Sequence, residues 1–269
     1  MPELPEMENY RSLLSSLIIN KPITNVEINR EKSINVSTTK FIEKVLDRRI
    51  TNIERRAKHL VFYLDNNYVL LLHLMLGGWI FYGDELNKPN RTIQVKLSFR
   101  DEHLFFIGLR LGYLHLLTLE ELNDRLKKLG PEPLESSFTY TQFIQVLSTK
   151  SSTLKTSLTD QGFISGIGNC YSDEICFSAK LLPTRKAKDL NILEAENLYG
   201  SIQSVLKEAI NYGGYMESPL YVGDSLTGGY DNKCRVYDRE NEPCVRCGNP
   251  IIKEMLSSKK SFFCRVCQR

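Results

Sequence analysis

CVRCGNPIIKEMLSSKKSFFCRVCQR, residues 244–269, carries four of the seven cysteines of the chain, spaced Cys244-x2-Cys247-x16-Cys264-x2-Cys267. Two such knuckles place a pair of thiolates on each of two turns, the arrangement that closes a four-thiolate tetrahedron around Zn2+. A closed tetrahedron leaves no open coordination position, so one structural Zn2+ is expected. Two disulfides are the competing use of these cysteines, disfavoured by the reducing setting that the rest of the chain suggests. Between the knuckles, residues 251–254 and 261–263 read as two strands joined tightly around 257–260. The result is a zinc-pinned β-hairpin whose basic tip, with Lys259 and Lys260, can enter DNA. Cys170, Cys176 and Cys234 have no partner at ligand spacing and read as small buried hydrophobes. His59, His73, His103 and His115 likewise show no metal-like pairing.

The hairpin ends a chain that is otherwise close to neutral. Residues 231–269 hold nine Lys/Arg against five Asp/Glu, a charge of +4 within a total of +3, which leaves −1 for everything before. A basic tail on a neutral body suggests an anionic partner, although charge alone fits a solvated surface as well. With 269 residues, two compact units or one with an appendage are expected. A content of 42% hydrophobic and 25% charged residues fits a globular protein with a sizeable core. The longest apolar run, Val69 to Leu76, is strand-sized, so membrane spanning is not expected. The acidic start MPELPEMENY lacks the basic region of a secretory signal, and a cytoplasmic monomer is expected.

Upstream, Met7, Tyr10, Leu14 and Leu17 line one face of a helix within residues 3–19. Short β-type runs follow at 60–64, 69–74, 93–99 and 104–107, with a turn at Asn66-Asn67, and antiparallel sheets in a sandwich are the natural reading. Thr118 and Glu121 form a capping box for a helix that Gly130 can end. Pro131-Glu132-Pro133 then marks a boundary. Beyond it the pattern is helical, with Phe143, Val146 and Leu147, then Leu154 and Leu158, then a long amphipathic stretch from Ile192 to Ile210. Residues 213–232, with five glycines, read as a mobile, exposed loop. The fold class expected is α+β, divided into 1–133, 134–230 and 231–269.

Pro2 permits removal of Met1, which exposes a secondary amine beside Glu3 and Glu6. Such an amine can attack a sugar C1′ to give an iminium while a carboxylate relays protons. A helix start with acids favoured by the dipole explains the same residues without chemistry.

MPELPE together with the four-cysteine finger ending in CQR resembles the formamidopyrimidine-DNA glycosylase and endonuclease VIII family, nearer its formamidopyrimidine branch. Arg55-Arg56-Ala57-Lys58 resembles the segment bearing the family's lysine, LKKLGPEP at 126–133 its interdomain connection, and GIGNCYSDEI at 166–175 its helix-two-turn-helix signature. The resemblance spans nearly the whole chain. It implies an N-terminal helix with a β-sandwich, a helix-two-turn-helix domain and a zinc finger, with damaged DNA between the halves. It also implies base excision and strand nicking, with Pro2 as Schiff-base nucleophile, Glu3 as general acid/base, Lys58 on phosphate and Glu6 in support. Asn169, Lys155 and Lys259 fall where the family contacts DNA, Lys259 replacing an arginine and losing its bidentate fork.

The departures lie in readout. Where the branch fills the gap left by an extruded base with Met, Arg and Phe, this chain has Leu76, Leu109 and Leu111. A leucine can wedge between bases but cannot hydrogen-bond an orphan base. Met75 or Arg110 taking over by a one-residue shift, and leucines that are simply core, are the alternatives. An atypical glycosylase with AP-lyase activity is the first expectation, and a non-catalytic binder of DNA lesions is the second.

Overall fold

The computed structural model describes residues 1–269, which divide into two compact units: residues 1–127 with 212–229, and residues 128–211 with 230–269. In the first unit, helix α1 (Leu4–Ile18) precedes strand β1 (Asn25–Ile28), helix α2 (Thr38–Val45) and seven strands. These are β2 (Ile50–Arg56), β3 (His59–Leu64), β4 (Tyr68–His73), β5 (Trp79–Gly83), β6 (Ile93–Phe99), β7 (Glu102–Ile107) and β8 (Tyr113–Thr118), before helix α3 (Leu119–Leu126). They form two antiparallel four-stranded sheets, ordered β2-β3-β4-β8 and β1-β6-β7-β5.

Period-two alternation explains the core. Leu60, Phe62 and Leu64 on β3 and Leu70 and Leu72 on β4 turn inward to meet Val95, Leu97, Leu104 and Phe106 of the other sheet. The opposite face of β3 and β4, with Val61, Val69 and Leu71, packs with Leu122 of α3. Helix α1 buries Met7, Tyr10, Leu14 and Ile18 in the main core, and Leu17 is partly buried against it. The Thr118 capping box forms in both directions, Glu121 N donating to Thr118 Oγ1 at 3.2 Å and Thr118 N to Glu121 Oε2 at 2.8 Å. Helix α3 nevertheless stops at Leu126, before Gly130, whose N–H is drawn to the Gln161 carbonyl at 2.8 Å.

Segment 212–229 departs from the exposed loop expected of its glycines. It returns to α1, with Asn9 Nδ2 donating to Thr227 Oγ1 at 2.7 Å and the Tyr10 hydroxyl to the Ser218 carbonyl at 2.7 Å. Asp224 gathers the segment, accepting from the N–H groups of Leu220, Leu226 and Thr227. Leu220 is fully buried in the main core.

The second unit contains α4 (Tyr140–Ser148), α5 (Leu154–Leu158), α6 (Asn169–Ser178), α7 (Ile192–Asn211) and the hairpin β9 (Ile252–Leu256)–β10 (Lys259–Phe263). Ser257 and Ser258, both at positive φ (48° and 64°), make the two-residue turn that matches strand twist. The hairpin is not a separate body, because Phe177 of α6 shares one core with Val236, Ile251 and Phe262. The partition into three at 133 and 230 is therefore redrawn, with the finger joined to the helices and 212–229 joined to the sandwich. No helix is long and apolar enough to cross a membrane.

Candidate DNA-processing site

In the first unit, the start of the chain is buried: Pro2 is enclosed, and Glu3 and Glu6 are each 2% exposed. Charged side chains reach such burial only with partners. Glu6 spans two elements, Oε2 accepting from Glu3 N at 2.7 Å and Oε1 from Tyr215 N at 2.8 Å. Its two oxygens thus hold backbone N–H groups, which makes it a positioning group for the first turn of α1. Gly214 permits the approach, since its φ is +78° and a Cβ there would lie 2.3 Å from Glu6 Oε1.

Lys58, 5% exposed, sits in the turn between β2 and β3 after Ala57, a non-glycine residue at φ +54°. That turn is tied to α1 by Arg55, whose Nε donates to Glu8 Oε2 at 2.9 Å and whose Nη1 donates to the Ala57 carbonyl at 3.3 Å. Burial raises the Glu8 pKa, but Arg11 and Arg55 outweigh it and hold the carboxyl below its usual range. On the outer face of the sheet, His59 stacks on His73 at 4.4 Å and Tyr113 on His115 at 4.0 Å. Burial, then the neighbouring His73, pushes His59 down to about 3; burial, then Lys58, pushes His73 down to about 4. Both imidazoles are therefore neutral at pH 7.

The three leucines separate. Leu76 and Leu111 are 75% and 69% exposed, whereas Leu109 is fully buried in the sandwich core. Leu109 is an anchor and not a wedge, which corrects its expected DNA contact. Its N–H donates to Gln94 Oε1 at 3.1 Å and its carbonyl accepts from the Ser33 hydroxyl at 3.3 Å, so Arg110 and Leu111 are presented to solvent from a fixed point. The loops carrying Leu76 and Leu111 abut, since a Cβ on Gly108 would lie 1.9 Å from the Gly77 carbonyl oxygen.

In the second unit, Asn169 is exposed at the first turn of α6, directly after the tight Gly166-Ile167-Gly168 turn. Backbone N–H groups and dipole favour an anion there. Lys155 does not join it: fully buried, its Nζ lies 2.8 Å from Asp173 Oδ1 and donates to the Asn169 carbonyl at 2.8 Å. An ammonium so enclosed cannot reach a phosphate, and Lys155 is corrected to an internal counter-charge. Asp173 also accepts from the Ser261 hydroxyl at 2.7 Å and from Phe262 N at 3.0 Å, linking α6 to β10. Asp173→Asn should cost about 3–5 kcal/mol by leaving Lys155 buried without its partner, checked by urea denaturation. Lys259 is half-buried at the hairpin turn and Lys260 is exposed.

The four cysteine sulfurs lie within 4.8 Å of one another, Cys244 and Cys267 at 3.8 Å and Cys247 and Cys264 at 3.5 Å. Thiolates about 2.3 Å from a tetrahedral Zn2+ have close to this spacing, so the donor set fits one structural ion. Gly214 and Gln94 carry no local motif in the sequence, because each acts through a partner distant along the chain.

Comparison with known proteins agrees part by part. Residues 1–113 match the formamidopyrimidine-DNA glycosylase N-terminal domain, residues 129–218 its H2TH domain, and residues 241–269 the zinc finger found in FPG and IleRS. Formamidopyrimidine-DNA glycosylase of Listeria monocytogenes is 36% identical over 279 residues, with both chains fully covered. That of Mycoplasma genitalium is 33% identical, covering 100% of this chain and 96% of the relative. The Lactococcus lactis Fpg in complex with DNA containing an abasic site superposes with a TM-score of 0.92 at 28% identity, over 99% of each chain. The Thermus thermophilus MutM (FPG) protein gives 0.88 at 31%, over 99% of this chain and 98% of that one. A sandwich, an H2TH domain and a four-cysteine finger define a DNA glycosylase with AP-lyase activity. The chain belongs to the formamidopyrimidine-DNA glycosylase family.

Proposed function

We propose that this glycosylase works through the Pro2 nitrogen and that its lesion preference departs from that of an 8-oxoguanine enzyme. Met1 removal makes the Pro2 nitrogen a secondary amine. Its lone pair attacks C1′ as the glycosidic bond breaks and the base leaves with a proton; the C1′–O4′ bond then opens, Glu3 relaying a proton to the ring oxygen, and the C1′–Pro2 linkage becomes an iminium. Loss of a C2′ proton expels the 3′ phosphate, a second elimination expels the 5′ phosphate, and water releases the sugar fragment. Lys58 steadies phosphate beside the damaged nucleotide, while Glu6 and Arg55 fix the elements that carry Pro2 and Lys58.

The shifted preference rests on one observation: Leu76 and Leu111 are exposed, while the third void-filling position, Leu109, is buried. Two leucines support an emptied stack only by apolar contact, so lesions that are already unstacked or weakly paired are favoured. Incision of duplexes carrying an abasic site, formamidopyrimidine, oxidised pyrimidines or 8-oxoguanine tests this. The expected order has 8-oxoguanine last; 8-oxoguanine opposite cytosine as the best substrate overturns it. Tight binding with no incision of any duplex favours a non-catalytic lesion binder, the reading supported by departures that lie in readout.

Asn169, Lys259 and the exposed Arg110 make phosphate contacts in this reading. Lys259→Ala should lower the slope of log affinity against log salt by about 0.9 and weaken binding alike across sequences. An unchanged slope removes Lys259 from the interface.

A further inference from the structure

In the first unit, three consecutive carbonyls of the 212–229 segment are each taken by a donor from another element. The Ser218 carbonyl accepts from the Tyr10 hydroxyl of α1 at 2.7 Å, that of Pro219 from Trp79 Nε1 at 2.9 Å, and that of Leu220 from Tyr82 N at 2.6 Å. Trp79 and Tyr82 both stand on β5, the edge strand beyond β7, where a strand has backbone donors to spare. The segment forms no helix or strand of its own, so its path is set by tethers of this kind. Trp79 is the single tryptophan of the chain, and its ring packs edge-on against Phe81 at 5.8 Å, which aims the indole. The indole N–H is a donor only, and Pro219 offers it an acceptor.

We propose that Trp79 is a positioning residue for the Pro2 nucleophile, acting through Pro219, Tyr215 and Glu6. Four residues before Pro219, the Tyr215 N–H donates to Glu6 Oε1 at 2.8 Å, and Glu6 Oε2 accepts from Glu3 N at 2.7 Å, next to Pro2. Gly214 lies so close to the same carboxylate that a Cβ there would sit 2.3 Å from Glu6 Oε1, which leaves the segment little room to slide. Pro219 removes further slack, because its ring fixes φ. Held at 218–220, the chain delivers the Tyr215 N–H to one place. Released from Trp79, it lets that N–H drift, and Glu6 loses one of the two donors through which it orients the first turn of α1. The catalytic limb of the proposal rests on Pro2 being the nucleophile; the tie from Trp79 to Glu6 does not.

A lone tryptophan allows the donor to be removed by itself. Replacing tryptophan throughout the chain by benzothienylalanine puts sulfur in place of the indole N–H and keeps the shape of the ring, whereas 5-fluorotryptophan keeps the N–H. Each full-length protein, in excess over an abasic duplex, is trapped with borohydride over time, and its affinity for a duplex holding tetrahydrofuran, a stable abasic analogue, is measured alongside. The benzothienyl protein should form adduct about three- to tenfold more slowly at saturation, the scale of one hydrogen bond, with affinity unchanged. The 5-fluorotryptophan protein should match the wild type. In Glu6→Gln, whose single carboxamide oxygen cannot serve both N–H groups, the same replacement should slow adduct formation no further. Exchange of the Tyr215 amide hydrogen, followed by NMR, should speed up when the donor is lost. An unchanged rate, a loss shared by 5-fluorotryptophan, equal slowing in the Glu6→Gln background, a fall in affinity that accounts for the slowing, or unchanged Tyr215 exchange overturns the proposal. A wild type that forms no adduct would count against the Pro2 chemistry, and Tyr215 exchange would still decide whether Trp79 holds the donor of Glu6.

Discussion

A chain whose Pro2 nitrogen is blocked, by retained Met1 or by an added N-terminal extension, should lose borohydride-trappable adduct on an abasic duplex by roughly 10³-fold or more, the scale on which loss of a covalent nucleophile acts. The reason is electronic: an amide nitrogen's lone pair is delocalised into its carbonyl and cannot attack C1′ to form an iminium. Pro2 is enclosed at the head of α1 and Glu6 fixes the first turn through the Glu3 and Tyr215 N–H groups, so no neighbouring amine can simply move into its place. Lys58 is 5% exposed in a turn tethered by Arg55 to Glu8 and the Ala57 carbonyl. Glu3→Gln should act differently, lowering turnover by about 10²–10⁴ through loss of proton relay while the amine persists. Affinity for the same duplex, measured alongside, separates chemistry from docking. Equal adduct from blocked and processed chains would move the nucleophile elsewhere.

Local signals in the sequence located the elements that local physics builds. The Thr118–Glu121 box, the apolar face of α1 and the two cysteine knuckles each depend on residues a few positions apart, and each forms as expected. Three features were not legible because their causes are distant. Leu109 and Leu111 share a residue type and a loop, but Gln94 and Ser33 pin only the first. Lys155 looks like a surface cation until Asp173, on another helix, closes over it. The glycines of 213–232 signal an exposed loop, yet Asn9, Tyr10 and Asp224 give much of that segment partners. In each case burial was decided by a side chain that no window of neighbouring residues contains.

Removing one thiolate by Cys264→Ser should reduce zinc from about one ion per chain to a small fraction and weaken DNA binding strongly, because structural Zn2+ contributes on the order of 10 kcal/mol to such folds. The damage should not stop at the hairpin. Cys264 and Phe262 share a core with Phe177 of α6, Asp173 holds Ser261 and Phe262, and Glu174 accepts from the N–H groups of Arg235, Val236 and Tyr237. When the finger unfolds, both carboxylates lose these donors while still enclosed in α6, a cost that falls on the helix itself. Asn169 stands on the first turn of that helix, so the finger and the turn proposed to contact phosphate should loosen together. Hydrogen exchange across residues 169–178 reads this directly: protection should drop in Cys264→Ser and recover in no other cysteine-to-serine variant of the four. Full zinc content in the variant would break the four-thiolate assignment. Lost zinc with α6 protection unchanged would show instead that the finger and the helix are energetically separate despite their shared core.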